Sequence, residues 1–441
     1  MTFGSDSYSW MVQKIILPVG DLLLGTRFIR ELEKWRKIQW YNSNQLEEYE
    51  REHLTKLLIH ATNKVEYYKN IGLKSIPADP VQWLASFPIL HKKNIKGQEV
   101  KFIFGERSKL IKETSSGSSG IQGEVYMSKV EASTSQAIQT MLWEWSGYRL
   151  GDPLLQLGMT PHRNLIKRIK DLMLRTNYQQ AFDIDHSQVD RALNRINSGT
   201  SYFGGYASGL YTYALLASKP PSFRSIISWG DKMFDHYRKN IETTFNAKVY
   251  DTYGCTEGFV IAGQCEEGSY HILSPHVKLE LVDDNGIEVG VGELGRVVVT
   301  RLDGFSMPLI RYYLGDLAVK ENPELKCKCG RSLPMLKRIV GRDTDVVKTK
   351  SGKVLIVHFF TGILEHFPAI RQFRIVQQNR EGFILEYIPE QALFREEILT
   401  EIKEIMESKI NEPMDINFVK VDVILPTSSG KPQIIKSMLK T

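Results

Sequence analysis

Four short segments combine residue types that can act on a phosphorylated ligand. Thr114-Ser-Ser-Gly-Ser-Ser-Gly120 supplies many backbone N–H groups and hydroxyls with little side-chain bulk, a composition that can wrap phosphate oxygens. Ile121-Gln122 follows instead of Gly-Lys-Ser/Thr, which argues against the P-loop of kinases and GTPases. Asp251-Thr-Tyr-Gly-Cys-Thr-Glu257 closes a predicted strand, the end at which open α/β sheets bind ligands. Tyr253 could cover an aromatic base, Thr256 could donate to a phosphate, and Glu257 could hold a hard cation such as Mg²⁺. Arg311-Tyr-Tyr-Leu-Gly-Asp316 puts a carboxylate after a glycine, where it could accept both hydroxyls of a ribose. Leu425-Pro-Thr-Ser-Ser-Gly-Lys431 displays a lysine on a loop, able to neutralise charge on a transferred group. Taken singly, each segment reads as a polar turn, and the Ser/Gly stretch as a flexible linker.

The elements that must position these segments are readable in outline. Residues 45–70 space Leu46, Tyr49, Leu54, Leu57, Leu58, Ala61 and Val65 at mostly three- and four-residue intervals, an amphipathic helix. The Ser/Gly stretch lies between a β-type run and the strand-like Glu124-Val-Tyr-Met127. Residues 225–257 read strand, helix, strand, loop, the pattern of an α/β domain with a largely parallel sheet. From about 277 to 320 the pattern becomes short and strand-rich, with a turn signal at Asp284-Asn285-Gly286. A boundary is expected after Gly341-Arg342, dividing the chain into 1–342 and a small, mobile α+β domain, 343–441.

Composition narrows the function classes. At 441 residues, with 42% hydrophobic and 24% charged, the chain is neither disordered nor collagen-like, and its core can enclose a ligand cleft. A net charge of +6, spread along the chain without a basic, aromatic-laced stripe, counts against a nucleic-acid partner. Four cysteines are too few for a disulfide-stapled secreted protein. No apolar run reaches the roughly 18 residues of a transmembrane segment. The opening apolar stretch is broken by Lys14 and Asp21 and lacks a signal-peptide pattern. A soluble cytoplasmic protein is expected, its opening helix packed on the core. Monomer and homodimer are both open.

Together, in this order and spacing, the four segments resemble the adenylate-forming superfamily of acyl-CoA synthetases. The nearest branch is that of phenylacetate–CoA ligases and CapK-type proteins of capsular polysaccharide clusters. The resemblance runs from about residue 45 to the last ten residues. It implies a large adenylation domain with mixed sheets and a small mobile C-terminal domain. It also implies ATP, Mg²⁺ and CoA as participants and a small-molecule carboxylic acid as substrate. Position by position, Ser115, Ser116, Gly117, Ser118, Ser119 and Gly120 would cradle the β- and γ-phosphates. Tyr253 would stack near adenine, Thr256 would touch the α-phosphate, Glu257 would hold Mg²⁺ and Asp316 would bind the ribose. Arg342 and the next three residues would form the hinge, and Lys431 would stabilise the adenylation transition state and leave when the small domain rotates. Tyr202-Phe-Gly-Gly-Tyr-Ala-Ser208 resembles a loop near the family's acyl pocket, for which Phe203, Tyr206 and Trp229 hint at an aromatic wall; Phe373–Gln377 resembles a strand of its C-terminal domain. The chain departs from the pattern at Gln122, where relatives carry proline, and at Thr344, where a second adjacent acid is usual.

Cys265, His271, Cys327 and Cys329 offer three thiolates and an imidazole, the ligand set of a closed tetrahedral Zn²⁺ site; relatives on the phenylacetate–CoA ligase branch carry similar positions. The competing reading is buried reduced cysteines; His276 could substitute as a ligand, though it is expected on the surface. Three functions follow as expectations. The first is an ATP-dependent acid ligase that forms an acyl-adenylate and then an acyl-CoA thioester. The second shares the first step but passes the acyl or aminoacyl group to an amine in polysaccharide assembly. The third is a non-catalytic, zinc-stabilised binding protein.

Overall fold

The computed structural model describes residues 3–71, 77–114, 124–159, 163–181, 184–255, 257–342, 346–364, 366–425 and 434–439. Ser115–Gly120, Thr256, Lys431 and the three residues after Arg342 lie outside the described residues, so their expected roles are carried by their flanks alone.

Alternating strand and helix builds a parallel half-sheet. Its strands lie in the order Thr176–Gln180, Leu154–Gly158, Tyr202–Tyr206, Ile226–Trp229, Val249–Cys255, each parallel to its neighbour. The sheet continues through Phe259–Gln264 and Tyr270–Ile272, now antiparallel, then Met335–Arg342, Tyr312–Lys320, Leu294–Arg301 and Val277–Val282. Fully buried Leu155, Leu157, Phe203, Ile226 and Val249 fill one core against the helices on the parallel part. Buried Leu154, Tyr202 and Ile227 point to a second core on the other face, so this part of the sheet is apolar on both faces, as a covered parallel sheet requires.

The long helix expected over 45–70 forms as Ser43–Lys64, breaks at extended Val65, and resumes as Glu66–Lys69. Asn42 and Gln45 start it with a reciprocal capping box, both bonds 3.0 Å. Its Leu54, Leu57, Leu58 and Ala61 are fully buried. The helix after Ile226–Trp229 starts only at Asp235. Asp231, expected within it, instead caps the helix Ala207–Leu216 by accepting from the N–H groups of Ala207 (2.6 Å) and Ser208 (3.2 Å). Tyr202-Phe-Gly-Gly-Tyr is a core strand rather than a loop, with Phe203 packed on Phe223 and Phe245.

Two further expectations need correction. The opening helical run, Phe3–Leu24, buries Val12 but leaves Leu22 and Leu23 about four-fifths exposed. His276 is fully buried, not on the surface, with its Nδ1 3.2 Å from Asp303.

The chain divides into two compact units, Met1–Leu314 with Ala318–Ile339, and Gly315–Leu317 with Val340–Thr441. In the second unit the hairpin Val346–Lys348/Val354–Ile356 precedes the helix Val357–Leu364. A four-stranded sheet follows, in the order Asp415–Lys420, Gly382–Pro389, Ile370–Gln377, Ile435–Ser437. The helix Glu397–Ile410 contributes the buried Ile402 and Met406. Gln377 ties hairpin to sheet through both polar atoms, to the Lys348 carbonyl (2.8 Å) and from the Lys348 N–H (2.9 Å).

Candidate active site

The carboxyl end of Val249–Cys255 is shaped by its glycine. A Cβ on Gly254 would lie 2.5 Å from the Phe259 carbonyl, so only glycine lets the returning strand approach where the register shifts. The sharp return places Glu257 just beyond the strand end, 7% exposed. Its Oε1 accepts from Tyr312 Oη at 3.2 Å and lies 3.3 Å from Lys92 Nζ. A carboxylate so enclosed needs such partners, because desolvation otherwise favours its neutral form. Tyr253 is half-buried against the central core.

The flanks of the Ser/Gly segment lead to the same place. Ile111–Thr114 and Glu124–Met127 pair antiparallel with Thr114 opposite Glu124, so the ends of the segment meet. The helix Lys129–Glu144 then begins with a capping box between Ser128 and Glu131. Its Ser135 hydroxyl donates to the Gly258 carbonyl (3.1 Å), and Glu131 accepts from the Ser306 N–H (2.8 Å). Val125, Tyr126, Met127, Glu131 and Glu257 all line one cavity of about 10 Å³. A wider, open depression of about 580 Å³ along Ser43–Lys64, lined by Glu47, Glu48 and Arg51, contains none of the motif residues.

Asp251, in the same motif, is fully enclosed. Tyr270 Oη donates to its Oδ2 at 2.5 Å, and burial pushes its carboxyl up to about 6. In the second unit Gly315 takes a left-handed φ of 79°, the tight glycine that the motif implied. Asp316 beside it is 8% exposed and pairs with Arg342 Nε at 3.1 Å. Two residues expected to contact nucleotide therefore meet. Arg311, which opens that motif, does structural work at a φ of 50°: its guanidinium pairs with Glu280 (3.0 Å) and bonds the Phe87 carbonyl (3.0 Å).

The four cysteine and histidine positions converge, with their ligand atoms all within 4.8 Å of one another. Cys265 Sγ is 3.6 Å from Cys327 Sγ, and Cys329 Sγ is 3.3 Å from His271 Nε2. Tetrahedral Zn–S bonds of about 2.3 Å put sulfurs roughly 3.7 Å apart, so the spacing fits. His271 Nδ1 lies 3.1 Å from the Leu333 carbonyl, which fixes the tautomer with Nε2 free to ligate. Burial pushes the Cys265 thiol up to about 12, the cost of keeping a thiolate there without a cation.

Sequence reasoning missed Lys92 and Tyr312 as partners of Glu257. Lys92 sits in a short helix, Lys92–Ile95, that carries no motif. Tyr312 stood within a quoted motif but had no role assigned.

This fold is shared with solved adenylate-forming ligases. The chain matches 2-hydroxyisobutyryl-CoA ligase in complex with 2-HIB-AMP at a TM-score of 0.72 and 16% identity, covering 90% of both chains. It matches ATP-bound MatB from Rhodopseudomonas palustris at 0.55 and 17%, covering 75% of this chain and 68% of that one. The chain thus has the fold of adenylate-forming ligases. Residues 346–438 match the CapK C-terminal domain, and Protein CapK of Staphylococcus aureus is 24% identical over 369 residues, 80% of each chain. Phenylacetate-coenzyme A ligase of Thermus thermophilus is 28% identical over 179 residues, 40% of this chain and 37% of that enzyme.

Proposed function

We propose that the protein is an ATP-dependent carboxylic acid ligase. An acid oxygen attacks the α-phosphorus of ATP, forming the acyl–phosphate bond as the bond to pyrophosphate breaks. A thiolate of CoA then attacks the acyl carbon, forming a thioester and releasing AMP. The observation that carries this reading is the buried Glu257 carboxylate, held by Lys92 and Tyr312 at the carboxyl end of a parallel strand. That is where such sheets bind nucleotides.

Glu257, a hard oxygen donor, suits Mg²⁺, which would neutralise phosphate charge when bound. Ser115–Gly120 would wrap the β- and γ-phosphates, Thr256 would donate to the α-phosphate and Tyr253 would stack on adenine. Asp316 would accept the ribose hydroxyls, with Arg342 orienting it and residues 343–345 acting as the pivot between 1–342 and 343–441. Lys431 would meet the charge that develops on the transferred group. Cys265, His271, Cys327 and Cys329 would hold a structural Zn²⁺ with no open position for substrate. The reading places the enzyme in the cytoplasm, where ATP and CoA are supplied.

A second reading, carried by the resemblance to CapK-type proteins, keeps the same adenylation step and passes the acyl or aminoacyl group to an amine in polysaccharide assembly. The test is acid-dependent pyrophosphate release across aryl, fatty, hydroxy and amino acids, with and without CoA. A CoA requirement for turnover supports the thioester; turnover that needs an amine supports the second acceptor. No release with any acid, and no ATP binding, would leave a zinc-stabilised binding protein.

A further inference from the structure

Two helices outside the site each turn an apolar face to solvent. In the run Phe3–Leu24, Trp10, Ile15, Val19 and Leu22 are 59%, 50%, 50% and 82% exposed. The five-residue step from Trp10 to Ile15 spans the π-helical turn Val12–Ile16, and steps of four and three follow, which keeps these side chains on one side. The helix Leu165–Met173 exposes Leu165, Ile166 and Leu172 by 71%, 74% and 78%. The two helices meet: Tyr8 Oη donates to the Met173 carbonyl at 2.8 Å, and the Arg175 guanidinium lies 3.8 Å from the centre of the Tyr8 ring.

The charge beside Leu165, Ile166 and Leu172 is predominantly basic. Between Arg163 and Arg175 the sequence holds five basic residues and one acid, Asp171. That acid is already bonded to Arg163, at 2.6 and 2.9 Å. The first helical run holds two acids, Asp6 near its start and Asp21, and Asp21 is turned to its own chain, accepting from the N–H groups of Phe28 (3.0 Å) and Ile29 (2.8 Å). Lys167 and Arg168 are exposed next to Leu165 and Ile166. A second copy docked here through a two-fold axis would set these like charges against each other. A nucleic acid would satisfy the charge but leave the leucines in water. An anionic bilayer satisfies both, taking the apolar side chains at its headgroup boundary and the basic ones at its phosphates. Trp10 suits that boundary, with an apolar ring and one N–H donor.

We propose that this face docks the protein on an anionic membrane surface, with both helices lying along the interface. No helix among the described residues is long and apolar enough to cross a membrane. The inference does not depend on the ligase reading, because its test reads binding rather than turnover.

The test is co-sedimentation of the full chain with phosphatidylcholine vesicles, with and without phosphatidylglycerol. Binding should need phosphatidylglycerol and fall as salt rises. The pair Leu22→Ser/Leu23→Ser and the triple Leu165→Ser/Ile166→Ser/Leu172→Ser should each weaken it by about tenfold or more. Lys167→Gln and Arg168→Gln should each cost on the order of fivefold. Because these side chains are exposed, all variants should keep the wild-type melting temperature, and a set that melts early is replaced by its single substitutions. Absence of binding, or binding that either serine set leaves unchanged, would overturn the proposal. A dimer in solution that the serine sets dissolve would overturn it in favour of a second copy.

Discussion

Glu257 shows how much a single carboxylate depends on residues distant in sequence. Lys92 and Tyr312 supply a cation and a hydroxyl within 3.3 Å of it, behind a nearly closed surface. On the ligase reading, Glu257→Gln should lower acid-dependent pyrophosphate release about 100-fold while ATP binding weakens less, as steady-state kinetics beside ATP titration would show. Asp316→Asn should act mainly on ATP, raising its KM roughly tenfold with a smaller change in kcat, because it removes charge-assisted bonds to a non-reacting group. Asp251 gives a prediction in pH. Its carboxyl is raised to about 6, against about 3.9 in the unfolded chain. The folded state therefore binds the proton more tightly, and stability falls as pH rises between those values. Asp251→Asn should remove that fall, gaining on wild type by about 2 kcal/mol between pH 4 and pH 7.5 in urea titrations. The motifs containing Asp251, Glu257 and Asp316 were legible because their residue types are unusual at that spacing. Lys92 was not, since an ordinary surface-type lysine becomes informative only when the fold brings it to a buried acid.

At the scale of elements, the sequence pattern was most reliable where one physical demand dominates. The stripe from Leu46 to Ala61 needs a buried face, and it made a helix. Val249–Cys255 and the hairpin at 346–356 follow β-branched runs in the same way. The pattern failed where a side chain serves a neighbouring element, as Asp231 does in capping Ala207–Leu216. Tyr202–Ser208, expected as a loop from its resemblance to one near the family's acyl pocket, is instead a strand running into a helix. In the strand, a Cβ on Gly204 would come 2.8 Å from the Trp229 ring, so bulk rather than flexibility selects the residue. The Cys/His cluster joins the Cys265 and His271 segments to the Cys327–Cys329 turn, and a metal there would clip two distant stretches of chain. Elemental analysis should therefore find one zinc per chain. Cys327→Ser should lose it and lower the melting temperature by several degrees, with a matching loss on chelation.

For the whole molecule, the division into two compact units bears on the order of events. The C-terminal unit carries its own core of Phe360, Ile375, Leu385 and Ile402, the condition for the body motion that the ligase reading proposes for it. Ile435–Ser437, four residues beyond Lys431 in the sequence, pairs parallel to Ile370–Gln377. On the ligase reading, Lys431→Ala should depress adenylation about 100-fold yet leave thioester formation from supplied acyl-adenylate near wild type. The identity of the acid was not legible at any scale, because the lining of a pocket is gathered from separate strands. The central claim is adenylation itself, and acid-dependent pyrophosphate release from ATP and Mg²⁺ tests it most directly. The account predicts release with at least one acid class, suppressed by both Glu257→Gln and Lys431→Ala. Release that survives both substitutions, or no release and no ATP binding with any acid, would contradict it.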